Sequence, residues 1–150
     1  MKKKKRILLS IAAGLPLLLT VFSLVYLNSS YPAAAKALAV LERENVADRG
    51  SQIVFRPQGE AVGGLIFYPG GKVSPEAYAP LLDALAERGV LCVLVKMLFN
   101  LAVFSPRGAE GIQEQFLEIE RWYMAGHSLG GTMASSYIDG GSGMEPGFAG

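Results

Sequence analysis

Two glycines, Gly126 and Gly130, flank Ser128 at equal distance in the stretch WYMAGHSLGGTMASSYI, Trp122 to Ile138. The residues before this turn, Trp122 to Ala125, read as an apolar strand, and Thr132 to Ile138 read as a modest helix. A strand that turns sharply into a helix forces strained backbone angles on the residue at its apex. It also crowds the residues two before and two after, so both must lack a side chain. The chain is thereby committed to a strand–turn–helix unit with one serine at its tip.

That arrangement suits nucleophilic chemistry. A serine hydroxyl is a weak nucleophile and has to be presented, exposed, to a base and a substrate. The helix that follows points its N-terminus at the turn and favours a developing negative charge there. The backbone N–H of Leu129 is then one candidate oxyanion donor. A second is expected from the loop after an earlier strand, and FYPGGKV, Phe67 to Val73, sits in that position. Gly71 is the candidate donor, with Gly70 permitting the turn. An ordinary tight turn is the competing reading of this glycine pair. One such donor is worth about 3–4 kcal/mol to the chemical step. His127 occupies the variable position beside the serine and is not read as the base. Tyr68 and Lys72 flank the loop and are candidates for substrate contact, with a solvated surface role the alternative for Lys72.

The rest of the chain reads as alternating elements. Pro32 to Asn45 reads as a helix with Ala34, Leu38 and Leu41 on one face. Gln52 to Phe55 and Ala61 to Tyr68 read as strands. Ser74-Pro75-Glu76 opens a helix with a capping hydroxyl, a proline in the first turn and an early acid. Its buried stripe is expected at Tyr78, Leu81, Leu82 and Leu85. Val90 to Lys96 is a continuous β-rich run, as in a strand covered on both faces. A weaker helix is expected between Ala109 and Phe116. Alternation of strand and helix argues for an α/β fold around a mostly parallel central sheet flanked by helices. Cys92, the one cysteine of 150 residues, reads as a small buried hydrophobe.

The N-terminus carries a different signal. Ile7 to Leu27 is a 21-residue run without a charge, preceded by five basic residues, Lys2 to Arg6. About 20 apolar residues span a bilayer core. A secretory signal has a shorter apolar region and a small-residue cleavage site. Residues 7–27 are therefore expected to be a transmembrane helix that binds the lipid bilayer. The basic segment 1–6 lies in the cytoplasm and the remainder outside. A cleaved signal, with Ala33-Ala34-Ala35 as its site and a secreted product, is the alternative. The other residues carry nine basic against 13 acidic side chains, so no nucleic-acid partner is expected.

The segments GLIFYPGGKVSPEAYAPLLDALAERGV, VLVKMLFNLAVF and WYMAGHSLGGTMAS together resemble the α/β-hydrolase superfamily, and most of all its small, membrane-anchored bacterial members with a YPGGKV loop. The resemblance runs from about Tyr31 to Tyr137, and a partial hydrolase domain is expected over residues 31–138. It implies a Ser-His-Asp hydrolase acting on esters or similar acyl compounds, with Ser128 as nucleophile, Gly71 and Leu129 as oxyanion donors, and neither cofactor nor metal. Where this chain has Leu98 and Leu117, the family pattern has proline.

In that superfamily the acid and then the base follow the nucleophile. Here only Asp139 and Glu145 follow as acids, and the single histidine precedes Ser128. A continuous helix would put Asp139 about 16 Å from Ser128. The triad acid and base are therefore not expected within this chain, which reads as a hydrolase cut short or altered in frame near Asp139. Residues 139–150, rich in glycine, are expected to be a flexible or poorly folded tail. The sheet is expected to end in an exposed edge, with the strands at Leu65–Tyr68 and Leu91–Val95 partly uncovered. A non-catalytic anchored remnant, or a binding protein, is the alternative function, and little or no hydrolase activity is expected of the 150 residues alone.

Overall fold

The computed structural model describes residues 2–141 and 145–146, with the side chains of 2, 5–13, 145 and 146 left undescribed. It divides into two units, Met1–Ser30 and Tyr31–Gly150.

The first unit is one helix, α1, Lys2–Asn28, with Pro16 inside it. From Leu15 to Tyr26 its large apolar side chains are at least half exposed. Among the described residues no helix is long and apolar enough to cross a membrane. Residues 7–27, expected to cross a membrane, lie within α1.

In the second unit, helix α2 (Ala35–Val40) is followed by strands β1 (Val46–Asp48), β2 (Gln52–Phe55) and β3 (Gly63–Tyr68). Helix α3 (Ala79–Ala86) then leads to β4 (Val90–Val95), and β5 (Trp122–Gly126) leads to α4 (Leu129–Asp139). A two-residue strand, β6 (Glu145–Pro146), comes last. The sheet order is β1-β2-β4-β3-β5-β6. β4, β3, β5 and β6 run parallel, while β2 pairs antiparallel with both β1 and β4.

The α/β fold is therefore present, with a parallel centre and an antiparallel edge. Two apolar clusters cover opposite faces of the sheet. Ile66, Tyr68, Leu91, Val93 and Val95 pack with Phe116, Met124 and Ala134 of α4 on one face. Ile53, Phe55, Phe67, Cys92 and Leu94 pack with Val40 of α2 and Leu82 of α3 on the other. Alternate residues of β4 serve opposite faces, which is why its sequence is apolar throughout. Burial pushes the Cys92 thiol up to about 12, the state of an inert core cysteine.

Several expectations need correction. The helix read over Pro32 to Asn45 contracts to α2, which buries Ala37 and Val40 and leaves Leu38 47% exposed. In α3 the buried positions are Ala79, Leu82, Asp83 and Ala86, and Leu81 faces solvent at 51%. The helix begins with a 3-10 turn at Pro75–Tyr78. That turn rotates the following residues relative to a uniform 3.6-residue period. Buried Asp83 is explained by its partners: the Arg43 guanidinium pairs with one carboxylate oxygen and Asn45 Nδ2 donates to the other at 3.1 Å. The helix expected at Ala109 to Phe116 is only a 3-10 turn, Gln113–Gln115. The connection from β4 to β5 otherwise packs through Ala102, Ala109, Ile112 and Phe116. It covers one face of the strands expected to be partly uncovered, burying Ile66, Tyr68, Leu91, Val93 and Val95, while α2 and α3 cover Phe67, Cys92 and Leu94 on the other face and Leu65 stays half-buried. Nor is β5 an edge strand, since Tyr123 and Met124 pair with Glu145 and Pro146 of the expected tail. The remaining tail positions, 142–144 and 147–150, lie outside the described residues.

Candidate active site

The chain leaves β3 to form β4 on one side and β5 on the other, so β3 lies between its two successors. Loops diverge at such a point, and the crevice beyond the strands' carboxyl ends is where open α/β sheets bind ligands. The two loops there are Pro69 to Ser74 after β3 and His127-Ser128 after β5.

Ser128 stands between β5 and α4 at φ 52°, ψ −120°. A non-glycine residue in this region is strained by about 1–3 kcal/mol, held only where its surroundings over-determine it. The surroundings are backbone. A Cβ on Gly126 would lie 2.5 Å from the carbonyl carbon of Gly130. A Cβ on Gly130 would lie 2.7 Å from the carbonyl carbon of Tyr68 and closer still to the carbonyl oxygens of Tyr68 and Pro69. The His127 N–H also donates to the Tyr68 carbonyl at 3.1 Å. The elbow is thus pressed against the end of β3 by groups that cannot step aside.

A serine opening a helix is most often its cap. Ser128 makes no side-chain capping bond, and it is exposed. Leu129, the first residue of α4, comes close to the glycine loop: a Cβ on Gly71 would lie 3.1 Å from Leu129 Cδ2 and 3.4 Å from Leu101 Cδ2. The structure thus brings Gly71 beside Leu129, next to Ser128. Among the described residues neither the Gly71 nor the Leu129 amide is taken up by a hydrogen bond. The Gly70 amide, by contrast, donates to the Tyr78 hydroxyl at 2.9 Å.

Lys72 lies at φ 62°, and its backbone is engaged on both sides, by the Asn100 carbonyl and by the Tyr31 amide. Tyr68 needs correction as a substrate-contact candidate. It is fully buried, its hydroxyl accepts the Ala109 amide at 2.8 Å, and burial pushes its pKa up to about 12. It is a core residue.

Tyr78 is the residue that sequence reasoning placed only in an apolar stripe. Its ring packs on Phe67 with centroids 5.1 Å apart and lies 5.9 Å from the His127 ring. Its hydroxyl lies 2.9 Å from His127 Nδ1 as well as from the Gly70 amide. No spacing rule joins residues 70, 78 and 127; only the adjacency of β3 and β5 does.

Among the described residues, a separate cleft of about 350 Å³ lies by Arg56, Gly63, Leu91, Glu118 and Arg121. Gly63 and Leu91 stand at or beside the starts of their strands, so this cleft is at the opposite end of the sheet from Ser128.

Comparison with known proteins agrees with this geometry at the level of family. A family model described as the alpha/beta hydrolase family matches residues 64–148, more than half of the chain. A search of curated proteins returns no match.

Proposed function

The chain belongs to the alpha/beta hydrolase family, and from that premise we propose that it is a serine hydrolase whose nucleophile is Ser128, acting on small esters or related acyl compounds. The observation that carries the reading is the backbone of Ser128: a strained, exposed, uncapped serine held at the tip of a glycine-flanked strand-to-helix turn. In the proposed step the Ser128 hydroxyl oxygen attacks the acyl carbon and loses its proton to a base. Negative charge develops on the acyl oxygen, towards which the free amides of Gly71 and Leu129 would donate. The base returns the proton to the leaving oxygen as the ester C–O bond breaks, the alcohol departs and Ser128 carries the acyl group, which water then releases as the acid.

The chain's one histidine is His127, and Nδ1 of that ring faces Tyr78. The test therefore provides a base from solution. The full chain is incubated with p-nitrophenyl acetate and imidazole, and acetylation of Ser128 is followed by mass spectrometry. Acetyl-Ser128 is expected to accumulate faster with imidazole and to be absent from Ser128→Ala. Equal labelling of other serines, or none at Ser128, would remove the nucleophile assignment.

We also propose that α1 anchors the chain in the cell membrane, N-terminus cytoplasmic and hydrolase part outside. The support is the uncharged run Ile7–Leu27 behind five basic residues. In length alone, a helix of 27 residues, about 40 Å at 1.5 Å per residue, matches a bilayer core. The exposed apolar side chains of Leu17, Leu18 and Phe22 are what lipid would cover. After expression in bacteria, the full chain should stay in the pellet on alkaline carbonate extraction. Its release into the supernatant would end the anchoring proposal.

A further inference from the structure

We propose that Tyr78 is a positioning residue of the Ser128 site, which sorts the two loop amides and fixes the tautomer of His127. The inference rests on the reading of Ser128 as nucleophile for its meaning, though not for its geometry. Gly70 and Gly71 offer adjacent amides beside the elbow. The Tyr78 hydroxyl oxygen accepts the first of them at 2.9 Å and so removes it from substrate. Gly71 is left as the donor of that loop.

The hydroxyl has one proton of its own to donate. Its oxygen is already accepting from Gly70, and the partner placed for the proton is His127 Nδ1, at 2.9 Å. Were Nδ1 protonated instead, the phenol oxygen would have to accept twice and its own proton would lose this partner. The arrangement that satisfies all three groups runs from the Gly70 N–H to the Tyr78 oxygen, and from the Tyr78 O–H to Nδ1. The neutral imidazole then carries its proton on Nε2. Both ring nitrogens are thereby committed: Nδ1 accepts from Tyr78, and Nε2 has no lone pair with which to take a proton from Ser128. His127 sits next to the nucleophile and is held out of the role of base.

Packing fixes Tyr78 for this task. Its ring lies against Phe67 of β3 and beside the His127 ring. Gly70 cannot carry a side chain there, because its Cβ would fall 2.5 Å from His127 Nδ1 and 2.8 Å from the Tyr78 oxygen. The contact is therefore a three-residue clamp between the glycine loop and the elbow, the two segments that carry the candidate oxyanion donors.

The experiment compares the full chain with Tyr78→Phe in detergent micelles, by ¹⁵N–¹H NMR of the histidine ring at a pH where His127 is neutral. The parent should show protonated Nε2 and unprotonated Nδ1. In Tyr78→Phe, which keeps both ring contacts, the tautomers should mix, and amide exchange at Gly70 should quicken by about 5- to 10-fold, the loss of one hydrogen bond. A parent with protonated Nδ1 would overturn the proposal, as would a variant whose tautomer and Gly70 exchange match the parent. Imidazole-assisted acetylation of Ser128 is measured on the same two samples. If the NMR changes appear and neither protein is acetylated at Ser128, the clamp stands and the nucleophile assignment falls.

Discussion

Replacing Gly130 by alanine should lower the thermal midpoint of the hydrolase unit by roughly 6–12 °C, because overpacking against backbone costs about 3 kcal/mol and each kcal/mol is worth about 2–4 °C at this size. The new Cβ would sit 2.7 Å from the carbonyl carbon of Tyr68 and nearer to two carbonyl oxygens. Relief requires α4 to move away from β3, which uncovers Ala134 and the α4 side of the core. Gly71→Ala is the informative contrast. Its closest neighbour is the flexible end of Leu129 at 3.1 Å, so the midpoint should barely change. Gly59→Ala, with nothing within 4 Å, serves as the control. Melting curves by circular dichroism of the three variants decide the matter. A Gly130→Ala protein that melts with the control would mean that the elbow does not lie against the end of β3.

Without added base, the 150-residue chain should turn over p-nitrophenyl acetate or butyrate no faster than its Ser128→Ala variant, to within about twofold. A serine hydroxyl stays protonated near neutral pH unless a base accepts its proton. Two amides aimed at the acyl oxygen can sustain a residual acceleration of about 10³–10⁴ over water in hydrolases stripped of their triad. That contribution does not depend on the serine, so it survives in the variant and cancels from the comparison. The difference between the two proteins reports only on a nucleophile that has found a base. A parent that outpaces Ser128→Ala tenfold or more, with no imidazole present, would show that His127 or a second chain supplies one. If His127 is the base, the tautomer assigned to it falls as well. Titrating imidazole into both proteins then gives the Ser128-dependent increment directly.

How much of this was legible beforehand follows from the range of each interaction. Strands β2, β3, β4 and β5 could be read because their apolar runs, bounded by glycine and charged residues, are local. Gly126 could be read because the crowding it relieves is set by the turn, where its Cβ would meet Gly130, whereas the need for glycine at 130 comes also from the Tyr68 and Pro69 carbonyls of a distant strand end. The faces of the short helices could not. Leu38 and Leu81 fit an apolar stripe by spacing, yet both are exposed, because a 3-10 entry and short lengths shift the buried face. Asp83 is buried for a reason 40 residues away, the Arg43 guanidinium. The cover over the sheet's second face could not be read either, because the connection from β4 to β5 has no regular period and packs by isolated residues such as Ala109, Ile112 and Phe116.

The sequence by itself determined the α/β alternation, the serine at a glycine-flanked turn and the glycine loop that precedes it, since each depends on backbone geometry within a few residues. Only the tertiary structure decided that Tyr68 is core, that the Gly71 amide lies beside Leu129 while that of Gly70 is spent on Tyr78, and that His127 is bound at Nδ1. Those facts depend on β3 and β5 lying side by side in the sheet, with Gly64 to Tyr68 in register with Trp122 to Gly126. Pairing between segments nearly 60 residues apart is fixed by the burial of both faces of the sheet, a property of the assembled layers that no local pattern carries.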